Sequence, residues 1–482
     1  MTAYFTERDV LEATGGRLVR AGVRPAFRGV STDTRTVTPG ALFVALKGDR
    51  FDAHDFLADA FAKGVAGAVV RRGAAAPDGG ALVEVDDTLA ALGALARFHR
   101  ARFAIPVGAV AGSNGKTTAK EMFAAILRTR GPALATEGNL NNEVGVPLTL
   151  LRLGEEHRAA VVELGTSGPG ELARLTAMAG PDAGVVTLVA EEHLEFLKDL
   201  DGVAEAEGEL YAGLRPGAVA VVNADDPRCV AQAERAATGV RRISFGKSPG
   251  ADVRLLRVTP LGVEGQEICL EGEEGEGDGG AGRVRLESNL QRNRVTVRLG
   301  FVGEHNAMNA AAAAALALSL SFSFEEIAAG LAAARPYAHR SRVVRMPSGL
   351  LVLDDCYNAS PASMEAALAT LASLRGDGPG RTVAVLGDML ELGAAEESAH
   401  RQLGRSARGR VDVAAFFGPR TSSSLEEFSS SPPSSPSSSS AHFTEIEPLL
   451  AWLRPRLRAG DVLLVKGSRG MKLERVVDAL AA

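Results

Sequence analysis

The stretch Gly112-Ser-Asn-Gly-Lys-Thr-Thr118 decides the fold, and it follows the apolar run Ile105-Pro-Val-Gly-Ala-Val-Ala111. The run predicts a buried strand, and residues 117–128 predict a helix that begins directly after the loop. A glycine-bearing loop that leads into a helix offers unpaired backbone N–H groups, and the start of the helix adds the positive end of its dipole. Lys116 adds a positive charge, and Thr117 is a residue type that ligates Mg²⁺. The position of the loop and its residue types together predict a binding site for a nucleoside triphosphate.

Glu163 and His193 follow the next predicted strands and are candidate metal ligands. Glu163 ends the run Ala160-Val-Val-Glu163, and α/β sheets bind ligands at the carboxyl ends of their strands. Its carboxylate is the oxygen donor that Mg²⁺ prefers. From the residues alone, a surface carboxylate and a structural histidine remain open alternatives. The loop also lacks one glycine of the full phosphate-loop pattern, because Val110 stands there, and a simple turn is the alternative.

The length predicts several domains, since 482 residues at about 150 per domain correspond to roughly three. Apolar runs that alternate with helical segments predict mostly parallel sheets and hence an α/β fold. We divide the chain into a small N-terminal α/β domain at 1–103, a central phosphate-loop domain at 104–338 and a C-terminal doubly wound domain at 339–482. Alternating residues over 251–302 predict strands joined by an acidic, glycine-rich hairpin loop. The Ser/Pro-rich segment 422–440 predicts a flexible surface insertion.

Composition disfavours several classes of protein. The chain is 46% hydrophobic and 23% charged, as in ordinary globular proteins, and its formal charge of −6 without a basic stripe disfavours nucleic-acid binding. Three cysteines without the spacing of a zinc ribbon or a disulfide scaffold predict a reducing compartment. Glu7, Arg8 and Asp9 interrupt any export signal, and no apolar run reaches the ~20 residues that span a bilayer. We expect a cytoplasmic monomer without membrane insertion.

Further motifs follow the phosphate loop and carry a family resemblance. They are Gly138-Asn-Leu-Asn-Asn-Glu-Val-Gly-Val-Pro147, Glu163-Leu-Gly165, His193-Leu-Glu195, Gly303-Glu-His-Asn306, Asp354-Asp-Cys-Tyr-Asn-Ala-Ser-Pro361, Leu386-Gly-Asp-Met-Leu-Glu-Leu-Gly393 and Lys466-Gly-Ser-Arg469. With Ser31-Thr-Asp-Thr-Arg35 and Phe51-Asp-Ala-His-Asp-Phe56, the chain resembles the Mur ligase family from Ser31 to its C-terminus. The stretches that begin at Asn141, Asp355 and Gly387 favour the dipeptide-adding branch of that family.

The resemblance implies an ATP-dependent ligase of peptidoglycan synthesis. The γ-phosphoryl group of ATP would pass to the terminal carboxylate of UDP-N-acetylmuramoyl-tripeptide and give an acyl phosphate. The amine of D-alanyl-D-alanine would then attack as phosphate leaves, and the product would be the UDP-linked pentapeptide. Phosphoryl transfer between two anions needs positive charge and Mg²⁺ more than an acid or a base, which fits a site built on Lys116 and Thr117.

The resemblance also assigns residues to each part of the site. It assigns catalysis and metal binding to Lys116, Thr117, Glu163, His193 and Glu207. ATP binding falls to Gly112, Ser113, Asn114, Gly115, Lys116, Thr117, Thr118, His305, Asn306, Asn309, Arg342 and Asp355. The uridine diphosphate falls to Ser31, Asp33, Arg35 and Lys47, the muramyl group to Thr136, Asn139 and Asn142, and the peptide or anion side to Tyr357, Asn358, Lys466, Ser468 and Arg469. A capped Ala-rich helix at 305–309 and a simple helix start at 466–469 are the open alternatives.

Some positions depart from the family pattern. Many members carry a carbamylated lysine, which bridges the second Mg²⁺, in the helix after the histidine, whereas Glu207 holds that position here. A carboxylate matches the carbamate in charge but has a shorter stem. We expect Glu207 to help hold the second metal and activity to be independent of carbon dioxide; an exposed helix carboxylate is the alternative. Leu188 lies where the family usually has an Asn-Ile-Gly segment and so offers no side-chain amide, and Ser341-Arg342 replaces the usual glycine-arginine pair.

Two other functions compete with this one. A different ligase of the same superfamily, such as a folylpolyglutamate synthase or the diaminopimelate-adding enzyme, would release phosphate with different substrates. A nucleotide-binding scaffold without catalysis is the alternative from another class, and intact Lys116, Thr117, Glu163 and His193 disfavour it. The sequence leaves open whether the third residue of the acceptor peptide is diaminopimelate or lysine.

Overall fold

A computed structural model describes residues 4–23, 26–48, 51–273, 293–375, 380–430 and 439–481. Within these ranges the strands form three mostly parallel sheets and one short antiparallel pair. Helices alternate with the strands, so the α/β fold predicted from the sequence is confirmed. Each sheet lies inside one of the three predicted domains, while the boundaries themselves stay predictions.

The N-terminal part is a small sheet with a long helix at its end. Its elements are β1 (Tyr4–Thr6), α1 (Glu7–Thr14), β2 (Arg17–Arg20), β3 (Ala26–Arg28), β4 (Val30–Ser31), β5 (Leu42–Val44), α2 (Leu57–Ala62), β6 (Gly67–Arg71), β7 (Ala81–Val85) and α3 (Thr88–Arg100). The sheet has the order β2-β7-β6-β5-β4, in which β2 is antiparallel to β7 and the other pairs are parallel. The Asp87 side chain caps α3 by accepting hydrogen bonds from two backbone amides of its first turn.

The central part contains the largest sheet. Its elements are β8 (Val107–Ala111), α4 (Lys116–Leu127), β9 (Ala133–Ala135), α5 (Gly145–Leu150), β10 (Ala159–Glu163), α6 (Glu171–Ala179), β11 (Ala183–Val186), α7 (Leu194–Leu197), α8 (Leu200–Ala212), β12 (Val219–Asn223), α9 (Pro227–Ala233), β13 (Arg241–Gly246), β14 (Val253–Pro260), β15 (Gln266–Gly272), β16 (Asn293–Leu299), α10 (Glu304–Ser319) and α11 (Phe324–Ala333).

The strand order is β16-β15-β14-β13-β12-β11-β8-β10-β9, and it reverses direction beside β8. The chain leaves β8 for β9 and β10 on one side and then builds β11 to β16 on the other. Ligands of open α/β sheets bind in the crevice at such a switch point, outside the carboxyl ends of the strands. The fold therefore puts the residues after β8, β10 and β11 in the expected binding crevice.

Strand β15 is antiparallel to its neighbours β14 and β16, and the alternating residues over 251–302 had predicted strands here. The acidic, glycine-rich loop was predicted between two of these strands. That loop was predicted over 271–282, but Glu271 and Gly272 instead end β15. Residues 274–282 and the strand predicted at 283–287 lie outside the described residues, so the solvated character of the loop is untested.

The C-terminal part is a second doubly wound sheet. Its elements are β17 (Arg342–Arg345), β18 (Leu351–Asp354), α12 (Pro361–Arg375), β19 (Thr382–Gly387), α13 (Glu396–Ala407), β20 (Val413–Phe417), α14 (Ser422–Ser429), β21 (Ser439–Phe443), α15 (Ile446–Leu453), β22 (Val462–Lys466) and α16 (Glu474–Ala481). The order is β17-β18-β22-β19-β20-β21, and only β17 is antiparallel to its neighbour.

The predicted flexible insertion at 422–440 is wrong for most of its length. Helix α14 forms there because Leu425 and Phe428, three residues apart, pack on the core of this sheet, and the Phe428 ring lies 5.7 Å from that of Phe416. Ser424 is fully buried and donates a hydrogen bond to the carbonyl of His400. The last two residues of the segment begin β21, and residues 431–438 lie outside the described ranges.

None of the helices in the described ranges combines the length and the apolar character that crossing a bilayer requires.

Candidate active site

The phosphate loop, Gly112 to Thr118, lies between the carboxyl end of β8 and the first turn of α4. Gly112 has φ +115°, and a Cβ atom there would lie 2.2 Å from Thr187 Oγ1. Gly115 has φ +84°, and a Cβ atom there would lie 2.2 Å from Asn309 Oδ1. Both positions therefore require glycine for conformation and for space. Asn309 thus touches the loop, as expected for a residue near a bound nucleotide.

Backbone groups after β11 hold the loop in place. Ser113 N donates a hydrogen bond to Leu188 O at 2.9 Å, and Ser113 Oγ accepts one from Ala190 N at 2.9 Å. Thr187 Oγ1 donates to Asn114 O at 2.6 Å. Leu188 lacks a side-chain amide, but its carbonyl still anchors the loop. This departure from the family pattern therefore leaves the loop ordered.

Lys116 points into an acidic pocket that includes a residue the sequence did not single out. Its Nζ lies 3.5 Å from Glu192 Oε2, and the Glu192 side chain is 12% exposed. The predicted Glu207 is 1% exposed, and its Oε2 accepts a hydrogen bond from Gly112 N at 2.7 Å. The alternative of an exposed helix carboxylate at Glu207 is therefore excluded. Glu192 escaped notice because a glutamate on a loop carries no signal until the fold brings it to the lysine.

Electrostatics of the pocket follow from burial and from the opposite charges. Burial raises the pKa values of Glu192 and Glu207, and the positive charge of Lys116 partly offsets that rise. Burial also acts to lower the pKa of Lys116, but Glu192, Glu207 and Glu163 outweigh it, so the pKa of Lys116 is raised. The lysine stays charged, and the surplus of carboxyl groups favours a cation.

Glu163 ends β10 and is held on one side only. Its Oε1 accepts a hydrogen bond from Asn141 Nδ2 at 2.8 Å, and its backbone N donates to Thr136 Oγ1 at 2.9 Å. The other oxygen, Oε2, is buried without a hydrogen-bond partner among the described residues. Glu192 and Glu207 are close enough to share a proton, and burial raises the pKa of both, that of Glu192 to about 8. Buried carboxylate oxygens without donors are costly unless a cation pairs with them. These hard oxygen donors fit Mg²⁺.

His193 lies at the start of α7 with φ +49°. Its Nδ1 is 2.5 Å from Oε2 of Glu391, which belongs to the C-terminal part. Burial lowers the pKa of His193, with Glu391 opposing the shift, so the neutral ring that a metal requires is favoured. In this structure the ring faces Glu391, and a metal contact by His193 stays a prediction.

The helix α10 presents the predicted adenine residues. Asn306 Nδ2 donates a hydrogen bond to Val302 O at 2.8 Å, and Asn309 Nδ2 donates to Asn306 Oδ1 at 3.1 Å. His305 lines a cleft of about 500 Å³ between the central sheet and α12, with Thr370 on the facing side. Burial lowers the pKa of His305. The asparagines are committed to holding the helix start, while His305 borders open space.

The structure brings Arg340 to the phosphate loop, and Arg342, which the sequence predicted for the phosphates, is exposed on β17. Arg340 Nη2 donates a hydrogen bond to Thr117 Oγ1 at 3.2 Å, and its guanidinium lies 3.9 Å from the centre of the Tyr357 ring. Ser341, the next residue, has a left-handed backbone with φ +49°. Arg340 is therefore a further candidate for the phosphates, and the contact predicted for Arg342 stays a prediction.

Asp355 and Lys466 form a buried pair beside this segment. Lys466 Nζ donates to Asp355 Oδ2 at 2.6 Å and to Asn358 O at 3.0 Å, and it is 3% exposed. Ser341 N donates to Asp355 Oδ1 at 2.8 Å. Asp355 is therefore engaged by protein donors, which supports Lys466 as the residue that positions Asp355. A direct ligand contact by either stays a prediction.

The remaining predicted residues of the C-terminal part differ in exposure. Ser468 is buried, and its Oγ accepts a hydrogen bond from Leu390 N at 2.9 Å, which supports a structural role. Arg469 and Asn358 are exposed, and the Arg469 guanidinium lies 5.6 Å from the centre of the Tyr357 ring. Ser360, which the sequence analysis did not select, donates from Oγ to Asn114 Oδ1 at 3.1 Å. Thr118, in the first turn of α4, is half-buried.

The predicted uridine-diphosphate residues lie at one edge of the N-terminal sheet. Ser31 ends β4 and Lys47 follows β5, and these strands are parallel neighbours. Arg35 makes a bidentate ion pair with Asp33, and this hydrogen bonding lowers the pKa of Asp33 to about 2. The four residues are partly or fully exposed and free to meet a ligand at that edge.

Of the predicted muramyl residues, only Thr136 contacts Glu163. Thr136 is 1% exposed and positions Glu163 through its hydroxyl. Asn142 Oδ1 accepts from Gly145 N at 2.8 Å, which caps α5, and Asn139 is exposed. Asn141, between them, makes the contact to Glu163 and was missed because a run of asparagines gives no indication of which one faces inward.

Comparisons with known proteins agree with this geometry. The model for the catalytic domain of the Mur ligase family matches residues 26–100, the Mur ligase middle domain matches 110–317, and the glutamate ligase domain of Mur ligases matches 339–469. The UDP-N-acetylmuramoyl-tripeptide--D-alanyl-D-alanine ligase of Escherichia coli (strain K12) is 39% identical over 94% of this chain and 93% of its own. The protein of the same name from Bacillus subtilis (strain 168) is 34% identical over 98% of both chains.

Solved structures show the same likeness. A crystal structure of MurF from Acinetobacter baumannii has a TM-score of 0.87 at 32% identity and covers 100% of this chain and 99% of its own. MurF ligase from Thermotoga maritima in complex with ADP has a TM-score of 0.78 at 28% identity, over 94% and 96% of the two chains. The chain belongs to the Mur ligase family. It is accordingly an enzyme of the ATP-dependent amide ligase type.

Proposed function

We propose that this enzyme joins D-alanyl-D-alanine to the terminal carboxylate of UDP-N-acetylmuramoyl-tripeptide. The reaction consumes ATP and yields UDP-N-acetylmuramoyl-pentapeptide, ADP and phosphate, a step of peptidoglycan synthesis. Likeness to the two dipeptide-adding ligases over almost the whole chain supports this substrate pair. The observation that carries the chemistry is the phosphate loop, where Lys116 faces three carboxylates at the switch point of the central sheet.

The chemistry begins with an oxygen of the peptide carboxylate, which attacks the γ-phosphorus of ATP. The bond to ADP breaks, and an acyl phosphate forms. The amine of D-alanyl-D-alanine then attacks the acyl carbon, loses a proton and expels phosphate. Lys116 and the loop amides stabilise the negative charge of the transferring group. Arg340 contacts Thr117 of the same loop and would add a second positive charge there.

Magnesium fits the carboxylate oxygens of the pocket. Glu163, Glu207 and Thr117, with Glu192 added by the structure, would hold it, and His193 would join after turning from Glu391. The cation would supply charge neutralisation to the phosphates when bound. A single glutamate side chain is shorter than a carbamylated lysine. Glu192 lies beside Glu207 and provides a second carboxyl group that compensates for this shorter length. We infer that the pair makes carbon dioxide unnecessary.

The two substrates would approach from different parts of the chain. The edge with Ser31, Asp33, Arg35 and Lys47 would hold the uridine diphosphate, and the segment of Asn139 and Asn142 would meet the muramyl group. The cleft beside His305 would take the adenine. Tyr357 and Arg469 would face the peptide. We also propose that the enzyme works in the cytoplasm, where its nucleotide-linked substrate and ATP are found, and that it does so as a monomer.

The test measures ADP formation by the purified chain with ATP, Mg²⁺, UDP-N-acetylmuramoyl-tripeptide and D-alanyl-D-alanine, with each component omitted in turn. We expect ADP release only in the complete mixture, with one pentapeptide formed per ADP. Tripeptides with diaminopimelate or lysine at the third position are compared side by side. Equal ADP release without the dipeptide would rule out the proposed reaction, and turnover with glutamate and a folate in its place would favour a folylpolyglutamate synthase.

A further inference from the structure

A cluster of three metal-ligand types lies between the linker after α11 and the end of β18. Among the described residues, His339, Asp354 and Cys356 can each offer one ligand atom within 4.8 Å of the others. His339 Nδ1 lies 2.9 Å from Asp354 Oδ2, and Cys356 Sγ lies 3.1 Å from Asp354 Oδ1 and 3.6 Å from His339 Nδ1. None of the three has a part in the reaction described above.

These separations are close to those of a tetrahedral zinc site. Bond lengths of about 2.3 Å to sulfur and about 2.0–2.1 Å to nitrogen or oxygen, at tetrahedral angles, put sulfur and nitrogen about 3.6 Å apart. The same lengths put nitrogen and oxygen about 3.3 Å apart and sulfur and oxygen about 3.6 Å apart. The sulfur–nitrogen distance already matches. The two oxygen distances involve different oxygens of Asp354, Oδ2 beside the histidine and Oδ1 beside the cysteine, so the carboxylate must turn to bring one oxygen toward both partners. The three ligand atoms already lie within 4.8 Å of one another.

Protons now occupy the place that a cation would take. The Cys356 thiol donates to Asp354, and burial together with the Asp354 charge raises the pKa of that thiol. A bound cation would replace the thiol proton with a bond to sulfur, and it would take the lone pair of His339 Nδ1 with the ring proton on Nε2. Asp354 and Cys356 are buried, whereas the His339 side chain is 31% exposed, which leaves room for water at a fourth position.

We propose that His339, Asp354 and Cys356 form a second metal site, selective for a borderline-soft divalent cation of the zinc type. A thiolate and an imidazole disfavour Mg²⁺, which prefers oxygen, and favour Zn²⁺ or Co²⁺. The site is therefore chemically separate from the oxygen-lined pocket of Glu163, Glu192 and Glu207.

The position of the site gives it a consequence for the phosphate loop. His339 belongs to the linker between the central and C-terminal parts, and the next residue, Arg340, contacts Thr117. A cation would tie this linker to β18 with bonds stronger than the present hydrogen bonds. It would thereby fix the approach of Arg340 and stabilise the folded chain.

The test titrates the full, metal-stripped chain with Co²⁺ in an excess of Mg²⁺, which occupies oxygen-donor sites. A thiolate bound to cobalt gives an intense charge-transfer absorption in the near ultraviolet, which the oxygen-lined pocket cannot produce. We expect one Co²⁺ per chain with this band, displacement by Zn²⁺, and a rise in Tm with Zn²⁺. Absence of the band in the unmodified chain would overturn the proposal.

Variants assign the band to the cluster. Cys356→Ser keeps a hydrogen-bond donor to Asp354 but removes the thiolate, so the band should vanish while circular dichroism is unchanged. His339→Gln, at a partly exposed position, should weaken Co²⁺ affinity by at least roughly 10-fold, the lower end of what even outer metal-site partners cause. The matched control is Cys229→Ser, because Cys229 is also buried with its sulfur 3.5 Å from a carboxylate oxygen, that of Asp226. A band that survives Cys356→Ser or disappears in Cys229→Ser would contradict the assignment.

Discussion

Lys116 is the residue on which the chemistry depends, and three carboxylates surround it. In the absence of a nucleotide its Nζ approaches Glu192 and the carbonyl of Ser113 at 3.4–3.5 Å, which are weak contacts. The ammonium group is therefore poised to exchange them for phosphate oxygens. Without the lysine, any ionised carboxyl group of this pocket would repel those oxygens.

Replacing this lysine should abolish most activity. For Lys116→Ala we expect kcat to fall by roughly 100- to 1000-fold, as on loss of one strong electrostatic contact to a transition state. The measurement is ADP release at saturating substrates, with circular dichroism to show that the fold is retained. A kcat within about twofold of the unmodified enzyme would contradict the role.

The carboxyl pair gives a second prediction at this scale. Glu192→Gln and Glu207→Gln should each raise the Mg²⁺ concentration for half-maximal activity by about 10-fold, since each removes one charged oxygen donor. Manganese binding followed by electron paramagnetic resonance gives a readout that does not depend on turnover. The control is Glu191→Gln, because Glu191 is the exposed neighbour in the chain. Bicarbonate should not stimulate the unmodified enzyme, and strong stimulation would count against the pair.

The two arginines of the linker make a third prediction. Arg340→Ala should raise the KM for ATP and lower kcat together by about 10-fold or more, because it removes the contact with the phosphate loop. Arg342→Ala, at an exposed position on β17, serves as the matched comparison and should change both constants by less than about threefold. Steady-state kinetics with ATP varied distinguish the two. A larger effect of Arg342→Ala would support the assignment made from the sequence motif.

At the scale of elements, the strands and helices that carry the phosphate loop were predictable because their apolar runs are continuous. The run before Gly112 became β8 and the residues after it became α4, each within about two residues of the expectation. Helix α14 was not predictable from composition, since its serines hide the spacing of Leu425 and Phe428. Low sequence complexity indicated disorder, but two apolar side chains on one face were enough to form a helix against α13.

The packing of α14 can be tested directly. Phe428→Ala should destabilise the C-terminal part by about 1–3 kcal/mol, below the usual cost of a fully buried phenylalanine because Phe428 is only partly buried. Faster hydrogen exchange in α14 and β20 would report the loss. The control is Ser422→Ala at the exposed start of the helix. If Phe428→Ala left the exchange rates of α14 and β20 unchanged, α14 would not pack as described.

The site was less predictable than the elements, for a geometric reason. Glu163 ends a strand and Lys116 begins the helix after one, and the order of strands determines where both lie. Asn141, Glu192 and Arg340 lie on loops, and their partners are distant in the chain. Their selection over the neighbours Asn142, Glu191 and Arg342 depends on loop conformation, which hydrophobic periodicity does not describe.

At the scale of the whole molecule, α3 connects the N-terminal sheet to the central one. Its buried face shares a hydrophobic core with Phe5 on one side and Leu150 on the other. His99 lies in this helix, 3% exposed, with Nε2 3.0 Å from Leu153 O and its ring centre 5.8 Å from that of Phe5. Because the buried ring makes one hydrogen bond, it is accommodated in its neutral form.

This arrangement predicts a loss of stability in mild acid. Burial lowers the pKa of His99 below its ordinary value of 6.5, so the unfolded chain binds the proton more readily than the folded chain. The stability is fully present above pH 6.5 and falls as the pH drops from there through the lower, folded-state pKa. His99→Gln, which can still donate to Leu153 O, should reduce the fall of Tm between pH 7 and pH 5. An unchanged pH dependence would show that His99 does not contribute.

Contacts between the central and C-terminal parts gather at the phosphate loop. Ser360 reaches Asn114, Arg340 reaches Thr117, and Glu391 reaches His193. Each contact involves a residue that we assign to nucleotide or metal binding. Binding of ATP should therefore change these contacts, and closure of the C-terminal part over the nucleotide is the expected motion during turnover.

The most direct measurement of the central claim follows an oxygen atom. UDP-N-acetylmuramoyl-tripeptide labelled with ¹⁸O in its terminal carboxylate is turned over with ATP and D-alanyl-D-alanine, and the released phosphate is examined by mass spectrometry. Transfer of the γ-phosphoryl group to that carboxylate predicts one labelled oxygen in each phosphate from doubly labelled substrate. Phosphate without label, released together with pentapeptide, would contradict the account.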